Sequence, residues 1–228
     1  MNIQDYTDIS LFETLGIIGD SFACGRVYPS GKGIDKHNIS WGQILARKHG
    51  IKAVTFACGG LTTETWLSHE RGLDLLLSED AKQLYIIALG INDTSRYDKD
   101  HTYLGSVSDI STEYYNINPP TFYGNMGRII SNVLNHAPNG KIVLSTIPRT
   151  DKDSFAIIND AIIEIANTFK LPYVVSLEDP FFSSAFFLDN KVMGHPTAPL
   201  HSGMANAYTR LLNNCMFKHC QYFMEYYG

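Results

Sequence analysis

The chain has 228 residues, 44% hydrophobic and 18% charged, with a net charge of -5 and a pI near 5.9. That balance suits one globular domain over residues 1–228, and its scattered lysines and arginines make no basic field, which argues against nucleic acid as a partner. No apolar run approaches a membrane span, and Met1–Tyr6 has neither the basic start nor the apolar core of a signal peptide, so a soluble, unexported, by default cytoplasmic protein is expected.

In chain order, short β-rich runs alternate with segments of helical period. The first strand candidate is Thr14–Asp20, followed by a helix over Ser40–His49 with Ser40 as its N-cap and a second strand over Ala53–Ala57. Thr62–Ser78 places Trp66, Leu73 and Leu77 at helical spacing, and Gln83–Gly90 is a third strand. Pro120–Ala137 reads as a helix carrying Met126, Ile129, Ile130, Val133 and Leu134. The strand Lys141–Ile147, the helix Ser154–Phe169, the strand Pro172–Leu177 and a closing helix over His201–Met216 complete the series. The strands are nearly continuous Ile, Val, Leu and Phe, the composition of strands buried on both faces. The pattern predicts an α/β three-layer sandwich: a five-stranded, mostly parallel, flavodoxin-like sheet flanked by helices, with right-handed crossovers.

Two polar segments, 26–38 and 94–119, are too long for ordinary connections and follow strand ends, so they are the expected walls of a substrate cleft. Cys24, Cys58, Cys215 and Cys220 lack CxxC spacing; reduced thiols are expected, Cys24 and Cys58 as small buried fillers, with no metal site implied. No cofactor is implied either: neither a GxGxxG nor a GxxxxGK[ST] loop follows any strand, which disfavours a nucleotide-binding flavodoxin-like protein. Trp41 and Trp66 are expected in the core, and His37, His49, His69, His101, His136 and His219 on the surface. The aromatic run 217–227 is expected to pack on the body or on another subunit, a route to a homo-oligomer.

Three strand ends carry chemistry. Gly19-Asp20-Ser21-Phe22 places a hydroxyl among small residues where the first strand opens into solvent, which is where ligands bind in open α/β sheets. Asp20 is expected to cap its own turn rather than to act as a catalytic acid. Asn92, in Ala88-Leu89-Gly90-Ile91-Asn92-Asp93, can aim its amide at the same space, with Asp93 capping the turn or helix that follows. The paired glycines of Ala57-Cys58-Gly59-Gly60-Leu61-Thr62 let the backbone approach a ligand and expose an N–H. A polar side-chain donor and two backbone donors converging near a serine meet the requirement for holding a tetrahedral oxyanion.

These blocks resemble those of the SGNH, or GDSL-type, hydrolase family over the length from Leu15 to the final helix. The resemblance implies Ser21 as nucleophile, an oxyanion hole made by the Ser21 N–H, Gly60 and Asn92, and a histidine base near the C-terminus. Gly60 matches better than Gly59 because Gly60-Leu61-Thr62 follows the family's pattern. Gly194-His195-Pro196-Thr197-Ala198 is similar to the family's final block, which makes His195 the expected base, with His201 as the alternative. The family's aspartate three residues before that histidine is replaced by Val192, and the nearest upstream carboxylate is Asp189. Either Asp189 reaches the imidazole, or a backbone carbonyl orients it in a Ser-His dyad.

The resemblance implies a serine esterase acting through an acyl-enzyme. The Tyr-, Ser-, Asn- and Asp-rich loops favour a polar small-molecule or carbohydrate ester, an O-acetylated carbohydrate being preferred. The alternatives are a catalytically inactive glycan-binding or assembly module, such as part of a phage tail or cell-surface complex, and a lipase, thioesterase or acyltransferase of the same family.

Overall fold

A computed structural model describes residues 8–224. Strands β1 (Thr14–Gly19), β2 (Lys52–Ala57), β3 (Leu84–Ala88), β4 (Lys141–Ser145) and β5 (Tyr173–Val174) form one sheet in the order β2-β1-β3-β4-β5. All four pairings are parallel. This is the flavodoxin-like order, in which the connections leave in opposite directions on either side of β1 and β3 and open a crevice beyond their carboxyl ends.

The apolar strands separate two cores. Leu15, Ile17, Leu84, Ile86 and Val143 face helices α1 (Trp41–Lys48) and α4 (Ala198–Lys218). Their alternates Ile18, Phe56, Tyr85, Ile87, Ile142 and Leu144 face α2 (Phe122–His136) and α3 (Asp153–Phe169). The period-two alternation of side chains makes continuous apolar runs necessary once both faces are covered. Trp41 stacks on Tyr208 with ring centroids 4.0 Å apart. Trp66 is fully buried and donates its indole N–H to the Phe56 carbonyl at 2.8 Å. Both tryptophans are thus core residues, and truncating either would cost roughly 3–5 kcal/mol.

The departures from expectation have local causes. The expected helix Thr62–Ser78 is three pieces, Thr63–Trp66, a wide π-type turn Glu70–Asp74 and Leu75–Ser78. Gly72 breaks it at φ -104°, ψ -113°, where a Cβ would lie 2.1 Å from the Trp66 carbonyl oxygen. The expected strand Pro172–Leu177 shrinks to Tyr173–Val174, because Ser176 turns back to donate its hydroxyl to the Thr146 carbonyl at 2.7 Å. Within the segment 26–38, Arg26–Val27 pairs antiparallel with Ile34–Asp35 in a small hairpin that periodicity did not indicate. The final helix starts earlier than expected, at Ala198, with Pro199 tolerated in its first turn.

Cys24 is a buried filler, but Cys58 is only half-buried, and its thiol donates to Asp35 Oδ2 at 3.3 Å. His101 and His219 are exposed, whereas His37, His49, His69 and His136 are half-buried. In the aromatic terminus, Phe223 is buried against Phe12 and Tyr222, and the Tyr222 hydroxyl accepts the Ile142 N–H at 2.9 Å. That part of the run packs on the body; residues 225–227 lie outside the described residues. No helix among the described residues is long and apolar enough to cross a membrane.

Candidate active site

Ser21 follows β1 in a tight turn and is 2% exposed. The turn is held by the Cys24 N–H on the Asp20 carbonyl (2.9 Å) and the Arg26 N–H on the Ser21 carbonyl (3.0 Å). Asp20 caps it, as its composition suggests, by accepting the Phe22 N–H on Oδ1 at 3.0 Å. Its other oxygen is buried with no hydrogen-bond partner among the described residues, and burial pushes the Asp20 pKa up to about 7.

His195 Nε2 lies 3.0 Å from Ser21 Oγ, and Nδ1 lies 2.8 Å from the Met193 carbonyl oxygen. A carbonyl only accepts, so Nδ1 carries the proton and Nε2 presents its lone pair to the serine hydroxyl. The histidine is delivered by a two-residue turn: Val192 and His195 exchange N–H···O bonds of 2.9 and 3.0 Å. The turn's centre, Met193 and Gly194, has φ of 52° and 74°. Both central residues at positive φ are the mark of a type I′ turn, and a non-glycine residue there costs roughly 1 kcal/mol or more. Burial lowers the His195 pKa, and the positive charges of Arg26 and Arg149 add to that lowering; the Met193 bond and the Asp35 carboxylate oppose it.

Asp189 is not brought to the imidazole. It is exposed at the end of the short helix Ala185–Asp189, while the Nδ1 position is taken by Met193. His201 is not brought to Ser21 Oγ either. It is wholly buried in the first turn of α4 near the Arg26 backbone, neither ring nitrogen makes a well-formed hydrogen bond, and burial lowers its pKa to about 4. Of the two histidines, the structure pairs His195 with the serine.

Asn92 follows β3 and donates one amide hydrogen to the Leu61 carbonyl at 2.9 Å, which fixes the amide and leaves its second N–H for another acceptor. Gly60 follows β2 at φ 89°, and a Cβ there would meet nothing within 4 Å, so its peptide borders open space. The Ser21 and Gly60 N–H groups donate to no acceptor among the described residues. The Gly59 N–H, by contrast, is used: it donates to Asp35 Oδ2 at 2.8 Å.

Asp93 does not cap the helix Thr94–Tyr97 with its side chain, contrary to expectation. Its buried carboxylate instead accepts the Thr63 N–H (3.1 Å), the Thr63 hydroxyl (2.6 Å) and the Tyr103 hydroxyl (2.6 Å). It thereby ties the loops after β2 and β3 together and draws in the segment 94–119 through Tyr103.

Three further residues surround the site without having been singled out. Arg26 Nη1 pairs with Asp35 Oδ1 at 2.9 Å, and its Nε donates to the Tyr28 hydroxyl at 3.3 Å. The Tyr28 ring rests against the His195 imidazole with centroids 4.9 Å apart. The only sequence signal was the polar, strand-end position of the segment 26–38. Among the described residues no group of three or more His, Cys, Asp or Glu side chains is placed to hold a metal ion.

The arrangement is a serine–histidine pair at the switch point of a parallel sheet, faced by polar donors from two further strand ends. Residues 17–202 match the model of the GDSL-like lipase/acylhydrolase family, and the chain belongs to that family of ester hydrolases. Comparison with curated protein sequences returns no match. Among solved structures, the chain is similar to the psychrotrophic esterase EstA from Pseudoalteromonas sp., inhibited by monoethylphosphonate, at 15% identity and a TM-score of 0.60 over 89% of this chain and 97% of that one. It is also similar to a family two carbohydrate esterase from Clostridium thermocellum in complex with cellohexaose, at 15% identity and a TM-score of 0.60, covering 92% of this chain and 65% of that one.

Proposed function

We propose that the protein is a serine esterase that removes a short acyl group, an O-acetyl group on a carbohydrate, through an acyl-enzyme. The carrying observation is the 3.0 Å contact of Ser21 Oγ with a His195 Nε2 whose tautomer the Met193 carbonyl sets. Nε2 takes the Ser21 proton as Oγ attacks the ester carbonyl carbon. The Ser21 and Gly60 N–H groups and the second Asn92 amide hydrogen hold the oxyanion. The imidazolium then gives its proton to the departing alkoxide oxygen. Water repeats the sequence: Nε2 takes its proton, hydroxide oxygen bonds to the acyl carbon, and the Oγ–carbon bond breaks with the proton returned to Oγ.

This reading makes His195 a dyad base with a backbone orienter and leaves Asp189 outside the chemistry. The polar loops 26–38 and 94–119 after the strand ends support a short acyl group on a polar alcohol rather than a long acyl chain. The test is labelling with a fluorophosphonate and turnover of 4-nitrophenyl acetate. The parent protein should label and turn over, and Ser21→Ala should do neither while keeping its fold. A folded parent that is not labelled would point instead to an inactive binding module.

A further inference from the structure

A groove of about 220 Å³ opens beside His195, between the hairpin of the segment 26–38 and the histidine turn, lined by Tyr28, Pro29, Lys36, Ile39, Val192 and Pro196 among others. Two of these flank His195 in sequence, and Tyr28 lies against its ring. None of its lining comes from the loops that carry Gly60 and Asn92. Since His195 must hand its proton to the departing oxygen, the alcohol portion of an ester leaves on the imidazole side, where this groove is. The oxyanion and acyl group occupy the other side.

The groove's chemistry narrows that alcohol. Tyr28 gives the groove an aromatic wall whose hydroxyl is held by Arg26 and whose ring rests against His195. Lys36 is exposed at the rim and makes no ion pair among the described residues. Lys191 stands next to the lining residue Val192 but outside the lining, with its ammonium 5.1 Å from the Phe187 ring and the charges of Asp151 and Asp189 acting on it. Arg149, whose Nη1 lies 4.0 Å from where a Gly194 Cβ would be, adds a third cation, paired with Asp151. Of these three, Lys36 alone lines the groove and has no ion pair among the described residues, so one positive charge stands at its rim in a chain of net charge -5.

On the basis of the esterase reading, we propose that this groove is the alcohol subsite and takes a sugar ring bearing a carboxylate, stacked on Tyr28 with its charge toward Lys36. The acyl group would be carried by a hydroxyl of that ring, and the step is the ester cleavage above, with the sugar hydroxyl as leaving group.

The experiment titrates methyl β-glucuronide and methyl β-glucoside into the Ser21→Ala protein, with binding read by calorimetry and saturation-transfer NMR. The glucuronide should bind about threefold to fivefold more tightly, Lys36→Gln in the same background should remove that preference, and Lys36→Glu should reverse it. Tyr28→Leu should weaken both sugars. Equal binding of the two sugars, a preference that survives Lys36→Gln, or no binding by a folded protein would overturn the proposal. Turnover of 4-nitrophenyl acetate by the parent protein reports separately on the esterase reading, so the failure of one is distinguishable from the failure of the other.

Discussion

Replacing Asp189 by alanine separates a dyad from a triad. In a serine triad, disabling the carboxylate behind the histidine costs on the order of 10⁴ in kcat, or about 5 kcal/mol of transition-state stabilisation. In this protein the Nδ1–H is spent on the Met193 carbonyl at 2.8 Å, and Asp189 is exposed. An exposed charge acting through water contributes at most about 1 kcal/mol, which corresponds to about fivefold in rate. The assay is kcat/KM for 4-nitrophenyl acetate from pH 5 to 9. Protonated His195 cannot accept the Ser21 proton, so activity rises with pH as the imidazole deprotonates. Burial, with Arg26 and Arg149 adding to it, lowers that pKa, so the acid limb should fall below the ordinary histidine value of about 6.5. Asp189→Ala should stay within about fivefold of the parent with its acid limb unmoved. A loss of about a thousandfold, or an acid limb well above 6.5, would mean that a carboxylate stabilises the imidazolium, and the dyad argument would be wrong.

Asn92→Ala should lower kcat on the same ester by roughly 10²–10³ with the circular dichroism spectrum unchanged, as expected for a lost oxyanion donor. Met193→Gly keeps the carbonyl at a positive φ and should stay active, whereas Met193→Pro, restricted to negative φ, should displace the imidazole and lose roughly a hundredfold or more. Asp93→Ala strips the Thr63 and Tyr103 groups of their buried acceptor and should cost roughly 1–3 kcal/mol per unsatisfied group, read as a lowered Tm. His201 has a folded pKa of about 4 against about 6.5 unfolded, so the unfolded chain binds the extra proton and stability falls as pH drops through that window. The loss reaches about 3 kcal/mol by pH 4, and His201→Leu should flatten that slope in denaturant titrations.

What the sequence disclosed, and what it hid, divides by range of interaction. The five strands and their parallel pairing were legible because burial on both faces demands uninterrupted Ile, Val and Leu, and the position of residues 21, 60 and 92 beyond the carboxyl ends of β1, β2 and β3 was legible because each follows such a run within a few residues. Asp93 was misjudged for the opposite reason. A local rule assigned it to its own helix, whereas its partners, Thr63 and Tyr103, belong to other parts of the chain. The hairpin bearing Arg26, Tyr28 and Asp35 escaped because its strands are two residues long and carry no alternation to detect.

The group behind His195 is the clearest case. The family pattern places a carboxylate side chain three residues upstream, but the orienting atom here belongs to the backbone two residues upstream. It depends on a positive φ that Met193 adopts without the glycine or asparagine that would signal it. The exchange of bonds between Val192 and His195 holds that conformation, so the residue replacing the expected aspartate, Val192, instead anchors the turn that aims the imidazole. A carboxylate orienter supplies a full charge as well as direction, whereas a carbonyl supplies direction and a dipole that opposes the lowering by burial without overcoming it. Burial lowers the His195 pKa against that carbonyl bond, which favours the neutral imidazole that acts as base, and the oxyanion of the transition state adds to the stabilisation of the charged form.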